Sequence, residues 1–247
     1  MHHKKNGFIM RISPRIFSRI FPRGWPLCAA LLATGAVAAP ASLPDTVEQR
    51  VAACTACHKA NEQGDAFFPR IAGKPATYLY HQLLNFKEGR RHYPMMTYMV
   101  EQLPEAYLRE IAQYFSTQHA PYPAPAPNSA TPQMVERGRI LVHQGDPARK
   151  VPACIACHGE KLTGVAPAIP GLVGLPRDYV NAQFGAWRNK VRKAHAPDCM
   201  GEIANRLSEA DVAAVSGWLA AQPADPAARP ETALPKPLPM QCGGVPQ

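Results

Sequence analysis

Two cysteines, two spacer residues and a histidine recur in this chain at a distance of 100 residues. The first copy is Cys54, Cys57 and His58 in VAACTACH (51–58); the second is Cys154, Cys157 and His158 in VPACIACH (151–158). A C-x-x-C-H run is the attachment signal of c-type haem. Its thiols add across the porphyrin vinyl groups, a helical turn sets the two sulfurs at the right separation, and the adjacent imidazole points at the iron. Competing chemistries fit less well. A dithiol redox site has no use for the following histidine, a zinc site needs four ligands, and a disulfide within each C-x-x-C is rare. The two runs predict two covalently bound haem c groups, with thioethers at Cys54, Cys57, Cys154 and Cys157 and with His58 and His158 as proximal ligands.

The sixth ligand separates a carrier from an enzyme. A His/Met pair fills both axial positions, whereas an open position suits peroxide or small-molecule chemistry. Met200 lies seven residues before Leu207, and Met96 lies seven before Leu103. This shared register selects Met96 and Met200 as distal ligands and leaves Met95 and Met99 as core filler. His92 and His195 are weaker candidates, expected on solvated or propionate-facing loops. Cys199 adjoins Met200 and could offer a thiolate. It is also one of two mature cysteines left after haem attachment, so a Cys199–Cys242 disulfide is expected to tie the tail across the second ligand loop.

Each histidine needs an acceptor for its other ring nitrogen. Pro69 in FPRIAG and Pro170 in IPGLVG are equivalent at an offset of 101, and their carbonyls are candidates. Tyr78 and Tyr179 are candidates for haem or propionate contact, with core packing as the alternative. RRHY (90–93) and RNKVRKAH (188–195) put positive charge before each methionine: a solvated face, propionate partners or a dock for an acidic protein.

The elements that must hold these groups also come in pairs. GKPATYLYHQLLNFK (73–87) aligns without gaps to GLPRDYVNAQFGAWR (174–188), pairing Tyr78 with Tyr179, Gln82 with Gln183 and Phe86 with Trp187. Residues 96–118 align to 200–222 at an offset of 104. Helices are expected over 46–60, after Asp45 as a cap, over 105–118 with Leu108, Ile111, Ala112 and Phe115 on one face, and over 208–222. No run has a convincing strand period. APYPAPAPNSATP (120–132) reads as an extended spacer, and the tail 223–247, with seven prolines, as lacking regular structure. Units this small need a supplement to their cores, which haem supplies.

Residues 1–41 read as a secretory signal peptide, with a basic start, the apolar run Leu27–Ala39 and cleavage after Ala38 or Ala41. Thirteen apolar residues are too few for a membrane span, which takes about 20. Cys28 lies inside this run. Six of the 27 Lys/Arg residues fall in 1–41 with no Asp or Glu, so the +9 of the whole chain drops to +3 beyond it. Four haem propionates take that to about −1, which gives nucleic-acid binding no support. The expected compartment is the periplasm, where cysteines are bonded.

On CTACH, CIACH, FPRIAGKPATYLYHQLLNFKEGRR, the methionine seven residues before LPEAYLREIAQYFSTQ, and VERGRILVHQGDPARKVPACIACHG, the chain resembles the dihaem cytochrome c4 family. The resemblance implies an all-α fold of two tandem class I cytochrome c domains, over 42–120 and 133–222, joined by a linker at 121–132. It implies His58/Met96 and His158/Met200 axial pairs, with the haems facing each other across the domain interface. The function implied is electron transfer from respiratory complexes or dehydrogenases to a terminal oxidase or reductase, with membrane association only through such partners. The alternatives are a dihaem enzyme of the thiosulfate dehydrogenase or peroxidase type, and the cytochrome subunit of a larger dehydrogenase. The chain departs from the family in Cys199–Met200, in KANEQGDAFFPR after the first C-x-x-C-H, and in the tail carrying Cys242.

Overall fold

A computed structural model describes residues 45–58, 67–127 and 130–246. The signal-peptide expectation for 1–41, and the expected helical residues 59 and 60, lie outside them. Helix α1 (Val47–Thr55) is capped by Thr46, whose hydroxyl accepts from the Gln49 amide at 3.3 Å. Asp45 is not the cap; its carboxylate is held by Arg50, with Nε at 2.8 Å. The helix ends at Thr55, and His58 follows on a last turn closed by its amide on the Cys54 carbonyl at 2.8 Å.

Three more helices complete the first unit: α2 (Ala76–Lys87), α3 (Pro94–Val100) and α4 (Glu105–Thr117). The face of α4 foreseen from its spacing is the buried one, Leu108, Ile111, Ala112 and Phe115, packed with Val51, Leu79, Leu84 and Phe86. The second unit comprises α5 (Pro132–His143), α6 (Ile155–His158), α7 (Arg177–Arg188), α8 (Cys199–Arg206) and α9 (Glu209–Ala220). It has its own core, centred on Leu141, Val142, Val215 and Leu219. Ser208 opens α9 with a capping box to Asp211. Where α5 crosses α9, Gly138 lies so close to α9 that a Cβ would overlap the Ala214 carbonyl and stand 2.7 Å from Trp218 Cβ.

Between α5 and α6 the second unit inserts a loop with a 3-10 turn, Pro147–Arg149, closed by the Asp146–Val151 bridge. Asp146 and Asp211 there share Arg137 and Arg149, at 2.7–2.9 Å. One small hairpin departs from the all-helical expectation: β1 (Gly164–Val165) pairs antiparallel with β2 (Ile169–Pro170). Strands of two residues are too short to show a period in sequence. The hairpin is what fixes Pro170.

Neither proline-rich segment hangs free. Arg70 donates to the Pro121 carbonyl at 2.7 Å and stacks over Tyr122, and the Ala126 amide bonds the Ala220 carbonyl at 2.9 Å. The tail has no helix among its described residues, yet Glu231 bridges to Val165 in parallel and Arg229 O accepts from Thr163 Oγ1 at 2.9 Å. Further on, the Gly243 amide reaches the Pro197 carbonyl at 3.0 Å, an approach that leaves no room for a Cβ. Besides the Cys199–Cys242 bond, these contacts run to backbone atoms, which have no side-chain pattern in the sequence. Among the described residues, no helix is long and apolar enough to cross a membrane.

Candidate metal centres

Both C-x-x-C-H runs are wound as a helical turn: the His58 amide bonds Cys54 O at 2.8 Å, and the His158 amide bonds Cys154 O at 2.9 Å. In each unit the following loop brings a carbonyl to the imidazole. Pro69 O lies 3.0 Å from His58 Nδ1, and Pro170 O lies 2.8 Å from His158 Nδ1. A carbonyl only accepts, so Nδ1 carries the proton and Nε2 keeps its lone pair for a metal. Burial lowers both histidines from their ordinary value and pushes the Cys154 thiol up to about 12. The imidazoles are thus neutral, the form whose Nε2 can bind a metal.

In the second unit, Cys154, Cys157, His158 and Met200 line a single cleft, walled by Phe184 and Leu219 among others. Met200 stands in the first turn of α8, whose cap Asp198 accepts from the Gly201 amide at 2.9 Å and the Ala194 amide at 2.8 Å. Cys199 is bonded to Cys242, with Cα atoms 5.4 Å apart. The tail beyond Leu234 closes the cleft, contributing Leu238, Met240 and Val245 to its lining. In the first unit, Met96 and Met99 both pack partly buried against the core, while Met95 is exposed.

The two units meet along a seam whose members repeat at an offset of 101. Arg91 and Arg192 pair as an antiparallel bridge, flanked by His92 N to Val191 O and Lys193 N to Arg90 O, each 2.7 Å. Arg91 donates to Gln82 at 3.0 Å, to Gln183 at 2.8 Å and to the Tyr179 hydroxyl at 3.3 Å. Arg192 mirrors it, donating to Gln183 at 2.7 Å, Gln82 at 3.2 Å and Tyr78 at 3.5 Å. Arg91 stacks over Phe86 at 4.6 Å and Arg192 over Trp187 at 3.9 Å. Tyr78 and Tyr179 thus bond the seam arginines and also line the cleft. Each basic run thus sends one arginine into the seam's glutamines, while Arg90 donates to Asn85 at 2.8 Å and Arg188 to the Ala204 carbonyl at 2.9 Å. His195 faces His81 across the seam, ring centroids 5.1 Å apart, and both line the cleft.

Sequence reasoning paired Gln82 with Gln183 and left the pair without a role. The signal was a glutamine returning at the same place in the two aligned helices. It also left Lys74, which lines the second cleft from the first unit.

The residues present fit a haem with two propionates. The cleft is mostly apolar, and it carries one orphan: Trp187 Nε1 is buried with no partner. Beside it, Arg192 is buried and, among the described residues, no carboxylate pairs with either seam arginine; burial first, then Arg91, lowers Arg192 from its ordinary value. An acidic group at this position would complete both.

Fold and site thus define a c-type cytochrome with two attachment runs in tandem. The family model described as Cytochrome c matches residues 48–119. The cytochrome c4 of Pseudomonas aeruginosa is 33% identical over 175 residues, covering 70% of this chain and 85% of the relative. The thiosulfate dehydrogenase electron acceptor of Thiomonas intermedia is 38% identical over 192 residues, 76% of this chain and 87% of the relative. Among solved structures, a thiosulfate dehydrogenase from Marichromatium purpuratum aligns at a TM-score of 0.62 and 32% identity over 69% of this chain; the match spans 36% of that chain. This chain belongs to the dihaem cytochrome c4 family. It carries two covalently bound haem c groups on class I cytochrome c folds and works in electron transfer with redox partners.

Proposed function

We propose that this chain is a periplasmic carrier that takes electrons from a dehydrogenase oxidising reduced sulfur, thiosulfate first among the candidates, and passes them to a respiratory acceptor. Coupling two thiosulfate anions through a new S–S bond releases two electrons, which two one-electron irons hold together. The relative from Thiomonas intermedia, named for accepting electrons from thiosulfate dehydrogenase, supports this donor. Haem supplies the valence change. The chain's part is to hold it: thioethers at Cys54, Cys57, Cys154 and Cys157, axial pairs His58/Met96 and His158/Met200, and units 42–120 and 133–222 joined by the linker. Pro69 and Pro170 fix the imidazoles. Cleavage of a leader within 1–41 delivers the protein to its compartment.

The observation that carries the relay is the doubled seam, in which Arg91 and Arg192 each bind glutamines of both units. It favours one rigid two-centre body over two independent cytochromes. A carrier is also favoured over an enzyme because the Cys199 sulfur is engaged with Cys242 and is not free to ligate iron as a thiolate. Stopped-flow mixing of the oxidised holoprotein with thiosulfate dehydrogenase and thiosulfate tests the donor. Two equivalents of reduced haem per chain, at a rate that rises with dehydrogenase concentration, are expected; no reduction would rule this donor out.

A further inference from the structure

The seam is symmetric, but one cation on it is not. The residue equivalent to Lys74 in the second unit is Leu175. Lys74 Nζ crosses from the first unit and donates to the Gly171 carbonyl at 3.1 Å. Gly171 directly follows Pro170, whose own carbonyl takes the His158 Nδ1 proton. The crossing is held in place from α2, where the Thr77 amide bonds the Pro167 carbonyl at 3.1 Å. Lys74 lines the cleft together with Cys154, His158 and Met200, and among the described residues no carboxylate pairs with it. The positive fields felt at the two proximal histidines come from different residues, Arg91 at His58 and Lys74 at His158. Arg91 has its twin in Arg192. Lys74 has none.

We propose that Lys74 is the cation through which the first unit sets the redox balance of the second, biasing a shared electron toward the haem held by His158. The inference rests on the His158 ligation proposed above. Oxidised iron carries one more positive charge than reduced iron, so an ammonium nearby disfavours the oxidised form at that centre. Burial lowers Lys74 to about 8, so the charge acts below that pH. A unit charge about 10 Å from a centre that changes its charge by one, at an effective dielectric constant of about 20 to 40, would change the distribution of one electron between two such centres by roughly five- to fifteen-fold. Arg91 acts at His58 and Arg192 belongs to the second unit, so of the lysines and arginines lining the second cleft, Lys74 is the one that the first unit supplies.

The test is a redox titration of the full dihaem protein, with each haem followed by its own methyl resonances, in Lys74→Met, Lys74→Gln and Lys74→Arg. In the Met and Gln variants the inter-haem distribution should move roughly five- to fifteen-fold away from the second haem, with the first haem's midpoint unmoved. Arginine keeps the charge and should keep the wild-type distribution. Unchanged midpoints in Lys74→Met, equal movement of both, or the same loss in Lys74→Arg would each overturn the proposal. The underlying ligation fails by a different sign: His158→Ala with an unaltered second-haem spectrum. A Lys74 variant that bound fewer than two haems would overturn the tuning role in favour of a structural one.

Discussion

Arg91 and Arg192 face each other across the seam, and each donates to the glutamine of its own unit and to that of the other. Two like charges at such a place repel unless acceptors surround them. Gln82 and Gln183 each take two of these bonds, and the Tyr78 and Tyr179 hydroxyls take the outer ones. Neutral acceptors leave the positive charge of the pair uncancelled, available for haem propionates.

Gln183→Leu keeps the volume of the side chain and removes two acceptor contacts, leaving Arg192, which is buried, and Arg91 under-satisfied. An unpaired buried donor costs about 1–3 kcal/mol, more when it is charged. The denaturation midpoint of the holoprotein should fall accordingly, and the transition should split in two as the units uncouple. Gln82→Leu should act alike because its geometry is the mirror image. Denaturant titration followed at haem absorbance checks both.

How much of this was readable in the chain follows from distance along it. The haem runs, the helix carrying Leu108 and Phe115, and the equivalence of Pro69 with Pro170 are local or repeated patterns, so spacing exposes them. The seam joins side chains about a hundred residues apart, and nothing in RRHY tells that Arg91 reaches the glutamines of both units while Arg90 bonds Asn85 and His195. Lys74 looked like one residue of a repeat segment because its partner is a backbone carbonyl, which has no sequence signature. Among the described residues, the linker before α5 and the tail lack helix as their prolines foretell, but where they dock was not legible, because docking along a neighbouring strand or helix end runs through backbone atoms.

Asp211 makes the second unit acid-sensitive. Burial alone would push its carboxyl up, but bonds from Arg149, Ser208 and Arg137 outweigh that and hold it well below the usual carboxylate range. A depressed native value means the stabilisation is complete above the unfolded carboxylate range, near pH 4, and is lost as pH falls toward the native value. Asp211→Asn should cost about 1–3 kcal/mol at neutral pH, a discounted figure because both arginines are about one-third exposed, at 37% and 34%. Below pH 4 the gap between variant and wild type should narrow. Thermal unfolding of the two holoproteins across pH 3–7 reads this directly, and a gap that widened on acidification would contradict it.

The tail's bond to α8 closes a loop with a sequence separation of 43 residues. A cross-link of that span stabilises by about 2–4 kcal/mol through the entropy of the unfolded chain. Cys199→Ser with Cys242→Ser should lower the second unit's stability by that amount and loosen Leu238, Met240 and Val245 over the cleft. Reduction of the second haem by a small solute such as ascorbate should accelerate, while the first haem's rate should not change. A uniform change at both haems would place the effect elsewhere than the strap.

The distal ligands are the remaining step between geometry and redox chemistry. Met200 shares a cleft with His158, so Met200→Ala should abolish the Fe–S charge-transfer absorption of one ferric haem and lower its midpoint, since thioether sulfur favours reduced iron. In the first unit Met96 and Met99 are both half-buried against the same core, and the register with Met200 alone distinguishes them. Met96→Ala should remove the remaining charge-transfer intensity. Met99→Ala should leave it intact and cost about 2–3 kcal/mol of packing, at the low end for a partly exposed methionine. The reverse outcome, with the band lost in Met99→Ala and kept in Met96→Ala, would move the ligand by one helical turn along α3 and break the seven-residue register on which the assignment stands.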